Sequence, residues 1–346
     1  MPAPPIFDGH NDVLLRLWEG RPEAIDGFAA GSGGHIDLPR ARAGGLAGGF
    51  FAIFVPGSGD FEIAALREPS YDVPLPNPVD QPEALRIVTE QAAILLELDR
   101  RGDLALCRTG SEVEAAIAAG RLAAIMHIEG AEAIGPDLVA LDVLYAAGLR
   151  SIGPVWSRET IFGHGVPFRY PSDGDIGPGL TDAGKRLIAR AADLGMVVDV
   201  SHLNMAGFHD VAEAGLPVVA THSNAHAISP GSRNLTDDQL RVIGQTGGVA
   251  GLNFATVFLR PDGRMLPEGA FEWMLRHLDR MIEQAGEDHV ALGSDFDGGT
   301  MPEEIGDAAG LDALRRAMDG AGFGPELIEK ICWRNWVSAL YRILGG

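Results

Sequence analysis

Short apolar runs recur along the chain at 5–7, 48–55, 122–128, 151–155, 196–200, 217–220, 248–252 and 289–292. Each has the length of a strand, and most are continuously apolar, the pattern of strands covered on both faces. Between them lie segments with 3.6-residue periodicity, at 83–101, 181–194, 205–213, 236–243 and 271–285. Several open on a capping residue and stop at glycine, as the one that begins at Thr181 and ends before Gly195 does. Eight strand-then-helix units with doubly covered strands predict an α/β fold, a closed parallel (β/α)8 barrel of the TIM type. An open doubly wound sheet is the other arrangement this pattern allows. Barrels of this size commonly form around one core, so residues 1–346 are expected to make a single domain. No internal repeat is visible, and the glycines are scattered, which excludes solenoid and collagen-like folds.

The proline-rich segment 68–82 follows the second run and precedes a long helical pattern. It is a loop that can cover the barrel mouth, or equally a plain surface linker. With 46% hydrophobic and 22% charged residues the chain has an ordinary globular composition. Its net charge of −21 is spread without an acidic block, which repels phosphate backbones and argues against nucleic acid as a partner. The longest apolar stretches, such as 46–55, fall short of the roughly 20 residues that span a bilayer, so no membrane helix is expected. The first residues, Met-Pro-Ala-Pro-Pro, have neither a basic region nor an apolar one, and the cytoplasm is the expected compartment. Cys107 and Cys332 lie far apart, as suits reduced, buried thiols.

In a barrel the C-terminal strand ends form the active face. The first run leads into Asp8-Gly9-His10-Asn11-Asp12, and in extended chain residues two apart project to the same side. His10 and Asp12 can therefore grip one ion, although an isolated His-x-Asp is more often a turn. The third run ends His127-Ile128-Glu129-Gly130, which makes Glu129 a candidate bridging carboxylate or a helix-terminal acid favoured by the dipole. The fifth ends Asp199-Val200-Ser201-His202 and the sixth Thr221-His222-Ser223-Asn224. A lone strand-end histidine usually finds a backbone partner, whereas a pair on neighbouring strands can meet at one metal. The eighth ends Ser294-Asp295-Phe296-Asp297-Gly298-Gly299, where an acid can face the site while the glycines let the chain bend. Either aspartate can instead cap a turn, Asp297 above all. His10, Asp12, Glu129, His202 and His222 together supply three imidazoles and two carboxylates, for which two divalent ions leave surplus positive charge. That surplus stabilises a bridging hydroxide, since water on zinc can have a pKa near about 7.

These segments, with Arg233-Asn234, resemble the membrane (renal) dipeptidase family, peptidase family M19, a branch of the amidohydrolase-like barrels. The resemblance runs through nearly the whole chain. It implies that His10 and Asp12 hold one zinc, that His202 and His222 hold a second, and that Glu129 bridges them. It also implies that Asp295 shuttles the proton and that Arg233 binds the terminal carboxylate of the substrate, for which a planar guanidinium is suited. One position departs from the family pattern. Where the family commonly has a histidine at the end of the fourth strand, this chain has Trp156, which can donate only through its indole nitrogen. His164 in the following loop is a candidate to serve instead, although loop histidines are more often solvated. The family includes secreted, membrane-anchored and disulfide-linked members, and none of those signals is found here.

The expected reaction is zinc-dependent hydrolysis of a dipeptide amide bond by the metal-bridging hydroxide. One zinc polarises the carbonyl, Asp295 passes the proton to the leaving amine, and Arg233 limits the substrate to about two residues. The family's tolerance of a C-terminal D-residue adds L,D-dipeptides and N-acyl amino acids as candidate substrates. A homodimer is left open. The rival readings are deacylation, lactone opening or deamination on the same barrel, because fold does not dictate reaction. A one-metal deaminase usually shows His-x-His after the first strand, where this chain has His10-x-Asp12. A catalytically silent metal-binding protein is the other alternative, and Asp295, which the ions do not require, counts against it.

Overall fold

Each of the eight apolar runs contains or adjoins one strand of a single parallel sheet: Ile6–Asn11, Leu46–Phe54, Ala123–Glu129, Leu149–Ile152, Val197–Val198, Val219–Ala220, Val249–Asn253 and Val290–Gly293. The structure is a computed structural model that describes residues 3–57 and 63–346. Successive strands are neighbours, and the first pairs with the eighth, Asp8 opposite Leu292. Beyond the short fifth and sixth strands an Asp199–Val219 bridge closes the ring, with Val200 N–H donating to Val219 O at 2.9 Å. The sheet is therefore a barrel, and the open doubly wound arrangement is excluded. A short strand, Ala105–Leu106, lies beside the third barrel strand.

The fifth and sixth strands are short for a local reason. Asp199 Oδ1 accepts the N–H groups of Ser201 and Thr221 at 3.0 and 2.9 Å, so a side chain takes over where the ladder stops. Helices Gln81–Arg101, Asp182–Asp193, Met205–Glu213, Asp237–Thr246 and Phe271–Ala285 occupy the periodic segments. Thr181, Asn204 and Thr236 cap three of them, Thr236 in a reciprocal box with Gln239.

Along the third strand Ile125, His127 and Glu129 share one face, because side chains two apart point the same way. Ile125 joins Phe7, Phe50, Val197, Val219, Val249 and Ala291 in an apolar layer at the lower end of the barrel. The C-terminal helix Asn335–Leu344 closes that end with Trp336, whose ring meets Phe50 at 5.1 Å and whose N–H donates to Leu292 O at 2.8 Å. The first strand carries Gly9 at this depth because a side chain would run into Thr221 O and come within 2.6 Å of Trp336. Its pairing with the second strand shifts register between Asp8 and Asn11, where the chain passes from the packed layer to His10 and Asp12.

Segment 68–82 is more than a linker. Tyr71–Val73 pairs antiparallel with Phe168–Tyr170, making a two-stranded ribbon. Tyr71 and Tyr170 hydroxyls donate to Gly263 O and Pro261 O at 2.9 and 2.5 Å. Val73 and Leu66 pack with Val257, Phe258 and Met265 beneath it. Both cysteines are free and buried, and burial pushes each thiol up to about 12. Among the described residues no helix is long and apolar enough to cross a membrane.

Candidate metal centre

Five side chains from four separate strand ends and the turn after the first converge on Glu129 Oε1 and its surroundings. That oxygen lies 2.8 Å from His202 Nε2, 3.4 Å from His222 Nε2 and 3.6 Å from His10 Nε2. His10 Nε2 is in turn 3.4 Å from Asp12 Oδ2. Two ligand-sized groups result, His10 with Asp12 and Glu129, and Glu129 with His202 and His222; within each the ligand atoms lie inside 4.8 Å. All five residues are buried.

The residues suit divalent cations. His202 Nδ1 lies 2.9 Å from Ser157 Oγ and His222 Nδ1 2.9 Å from Thr221 Oγ1, which leaves each Nε2 turned inward. Burial, with the charge of Arg233 added, holds both rings well below the usual histidine range, so they are neutral and can offer a lone pair. Burial raises Glu129 well above the usual carboxylate range, and the neighbouring Asp12 and Asp295 add to it. Against its own burial, His10 is raised to about 10 by Glu129 and Asp12, a sign of how strongly this spot favours positive charge. Neither ring nitrogen of His10 has a hydrogen-bond partner. Three imidazoles and two carboxylates are nitrogen and oxygen ligands of the kind zinc accepts.

Above these atoms is a cavity of about 800 Å³. Asp12, Glu129, His202, His222 and Asp295 lie at its polar end, and Phe54, Trp156, Phe168, Phe258 and Val73 form apolar walls. Asp295 Oδ2 accepts from Asn253 Nδ2 at 2.9 Å, and burial together with Asp12 raises its pKa. The sharp bend after the eighth strand is made by the aspartates themselves and not by glycine: Asp295 and Asp297 have φ of 61° and 66°. Aspartate tolerates this left-handed conformation better than most residues. Gly298 has a different task, because a Cβ there would collide with the Asp12 and Asp295 carboxylates. Asp297 ties the turn, accepting from His35 N–H at 2.7 Å and donating its own N–H to His35 Nδ1 at 2.8 Å.

Arg233 is buried beside His202, with Nη2 3.3 Å from His202 Nε2 and 3.4 Å from His222 O. Nη1 donates to Ser201 O, the guanidinium sits 5.4 Å from the Phe258 ring, and Nε has no partner. Burial lowers its pKa to about 10. The membrane dipeptidase model, peptidase family M19, matches residues 1–343. The chain belongs to the membrane dipeptidase family. A metallopeptidase of Rhodobacter sphaeroides, solved with a phosphinate mimic of the dipeptide L-Ala-D-Ala, is 49% identical with a TM-score of 0.97, and the match covers 99% of each chain. A dipeptidase of Clonostachys rogersoniana, verJ, is 30% identical over 325 residues, 90% of this chain and 76% of its own. An uncharacterized Klebsiella pneumoniae protein in the pqqA 5′ region is 46% identical over 264 residues, 75% of this chain and 97% of its own.

Trp156 and His164 have different fates. Trp156 is on the cavity wall, its ring 5.0 Å from Phe54, 5.8 Å from Phe168 and 5.7 Å from His202. His164 is not brought to the site: its Nδ1 lies 2.9 Å from Glu159 Oε1, and the ring is partly exposed. Sequence reasoning passed over the hydroxyls behind the histidines. Thr221 directly follows the sixth strand and adjoins His222, which marks it, whereas Ser157 lies five residues past the fourth strand between Trp156 and Arg158, where no sequence signal marks it.

Proposed function

We propose that this chain is a zinc-dependent dipeptidase that holds two ions and cleaves the amide bond of small dipeptides, including those with a C-terminal D-residue. N-acyl amino acids present the same bond beside the same carboxylate and fall within the proposed range. The reading is carried by the approach of three histidine Nε2 atoms to one oxygen of Glu129, with Asp12 beside His10. The relative solved with an L-Ala-D-Ala mimic adds support for the substrate class.

His10 and Asp12 would hold one ion, His202 and His222 the other, and Glu129 would serve both. When bound, such ions polarise the scissile carbonyl and lower the pKa of the attacking water. Asp295, at the same polar end of the cavity, takes the proton and gives it to the departing amine. Its raised pKa suits a group that must both accept and release. Arg233 pairs with the free carboxylate of the C-terminal residue and orients the bond. Trp156, together with Phe168 of the ribbon, lines the space left for the side chains and keeps water from it.

A panel of L,L- and L,D-dipeptides, an N-acyl amino acid, a lactone and an aminated base tests the proposal, with metal measured on the same sample. Dipeptide cleavage is expected with two zinc ions per chain. Lactone or deamination turnover with no peptide cleavage would overturn the assignment.

A further inference from the structure

His222 is held from behind by two residues that do not line the cavity. Its Nδ1 lies 2.9 Å from Thr221 Oγ1, and the same hydroxyl donates to Asp199 Oδ2 at 2.6 Å. A carboxylate accepts hydrogen bonds and donates none, so the single Thr221 proton goes to Asp199. The hydroxyl oxygen is left to accept from His222 Nδ1–H. That direction places the proton of His222 on Nδ1 and leaves Nε2 bare toward Glu129.

Asp199 is itself locked in place. Its Oδ1 takes the Ser201 and Thr221 backbone N–H groups and the Ser201 hydroxyl, the last at 2.6 Å. Ser201 Oγ then accepts the backbone N–H of His222 at 3.1 Å. His127 Nε2 stands 3.4 Å from Oδ2 and packs against Ser151 through Nδ1 at 2.9 Å. Asp199, Thr221 and His127 are all fully or almost fully buried. Asp199 therefore has no freedom to turn, and its orientation passes through Thr221 to the imidazole.

We propose that Asp199 and Thr221 are positioning residues, a relay that sets the tautomer and direction of His222 and through it the affinity for the ion shared with His202. The inference rests on the two-ion centre proposed above. It makes a specific statement about polarity. In Asp199→Asn the amide oxygen can still serve the Oδ1 donors, but the amide N–H now donates to Thr221. Thr221 is then free to donate to His222 Nδ1, which moves the imidazole proton to Nε2, where an ion would bind, or to Ser201 Oγ at 3.1 Å, and in either case Asp199 no longer fixes the Nδ1–H tautomer.

The experiment measures zinc affinity and stoichiometry of the full chain by competition with a chromophoric chelator, and the visible spectrum of the cobalt-loaded form. Thr221→Val and Asp199→Asn should each weaken one of the two ions by about 10- to 100-fold and leave the other unchanged. Both should perturb the cobalt spectrum, and Thr221→Ser, which keeps the hydroxyl, should restore affinity and spectrum. Thermal unfolding of the zinc-free proteins separates this from a general loss of structure. Wild-type affinity in both the Val and Asn variants, or a Ser variant no better than Val, would overturn the relay. Wild-type protein that holds fewer than two ions would overturn the centre and the relay together, a distinguishable result.

Discussion

Glu129 Oε1 and His202 Nε2 are 2.8 Å apart although their strands are not paired: the third strand pairs with the fourth, and the fourth with the fifth. The contact spans the mouth over an intervening strand, and sheet curvature brings the two tips together. In a flat sheet strands two apart are separated by about 10 Å, too far for one ion.

Metal analysis of the purified protein should give about two divalent ions per chain, since the ligand count provides for two. Chelation should abolish peptide cleavage and lower the unfolding temperature. Zinc restored to a hundredfold excess over its dissociation constant should return about 2.7 kcal/mol for each site. A single tightly held ion would rule out Glu129 as a shared ligand.

Asp295→Asn should retain both ions, because the five ligands are untouched, and should lower kcat by about 10² to 10⁴. The Asn253 contact at 2.9 Å has a carboxylate oxygen as acceptor, and the amide oxygen of the variant can replace it. Wild-type turnover from this variant would mean that another group moves the proton.

Arg233→Ala should raise KM most for substrates with a free C-terminal carboxylate, and amidated substrates should be affected little. The guanidinium is buried against His202 and His222, so metal content must be measured in parallel. An equal loss on both substrate types would show that Arg233 acts only on the histidines.

His277 gives a stability prediction away from the metals. On the helix Phe271–Ala285, its Nδ1 accepts from Ala225 N–H at 3.0 Å and its Nε2–H donates to Leu259 O at 2.9 Å. Burial lowers its pKa from 6.5 to about 4. The folded state thus resists a proton that the unfolded chain accepts, so the stability is present above pH 6.5 and is lost as the pH falls toward 4. The full loss is about 3 kcal/mol. In urea unfolding of chelator-treated protein, wild type should lose about that much more than His277→Gln across this range. Parallel curves for the two proteins would remove His277 from the acid limb.

The barrel was legible because strands covered on both faces must be apolar throughout, and most of the eight runs had that character. The five ligand-type residues were legible because polar side chains ending apolar strands are conspicuous. The ribbon was not: Tyr71–Val73 and Phe168–Tyr170 are short, lie far apart in the chain, and become strands only by pairing with each other. The bend at Asp295 was assigned to the following glycines, since sequence cannot distinguish a residue that adopts left-handed backbone from one that makes room. His164 was a stand-in suggested by residue type, and only coordinates reveal that Glu159 takes its ring. The direction of the Thr221 hydrogen bond likewise depends on atoms from two strands.

The ribbon over the mouth has a consequence for diversification. It is assembled from interstrand connections and anchored by tyrosine hydroxyls to backbone carbonyls near Pro261 and Gly263, while every proposed ion ligand belongs to a barrel strand or the residues directly following one. Changes in the length or apolar surface of these connections can therefore reshape which side chains are admitted without disturbing the proposed ligands below. Selectivity and reactivity are encoded in separable parts of one chain, so relatives with the same metal ligands can accept different peptides.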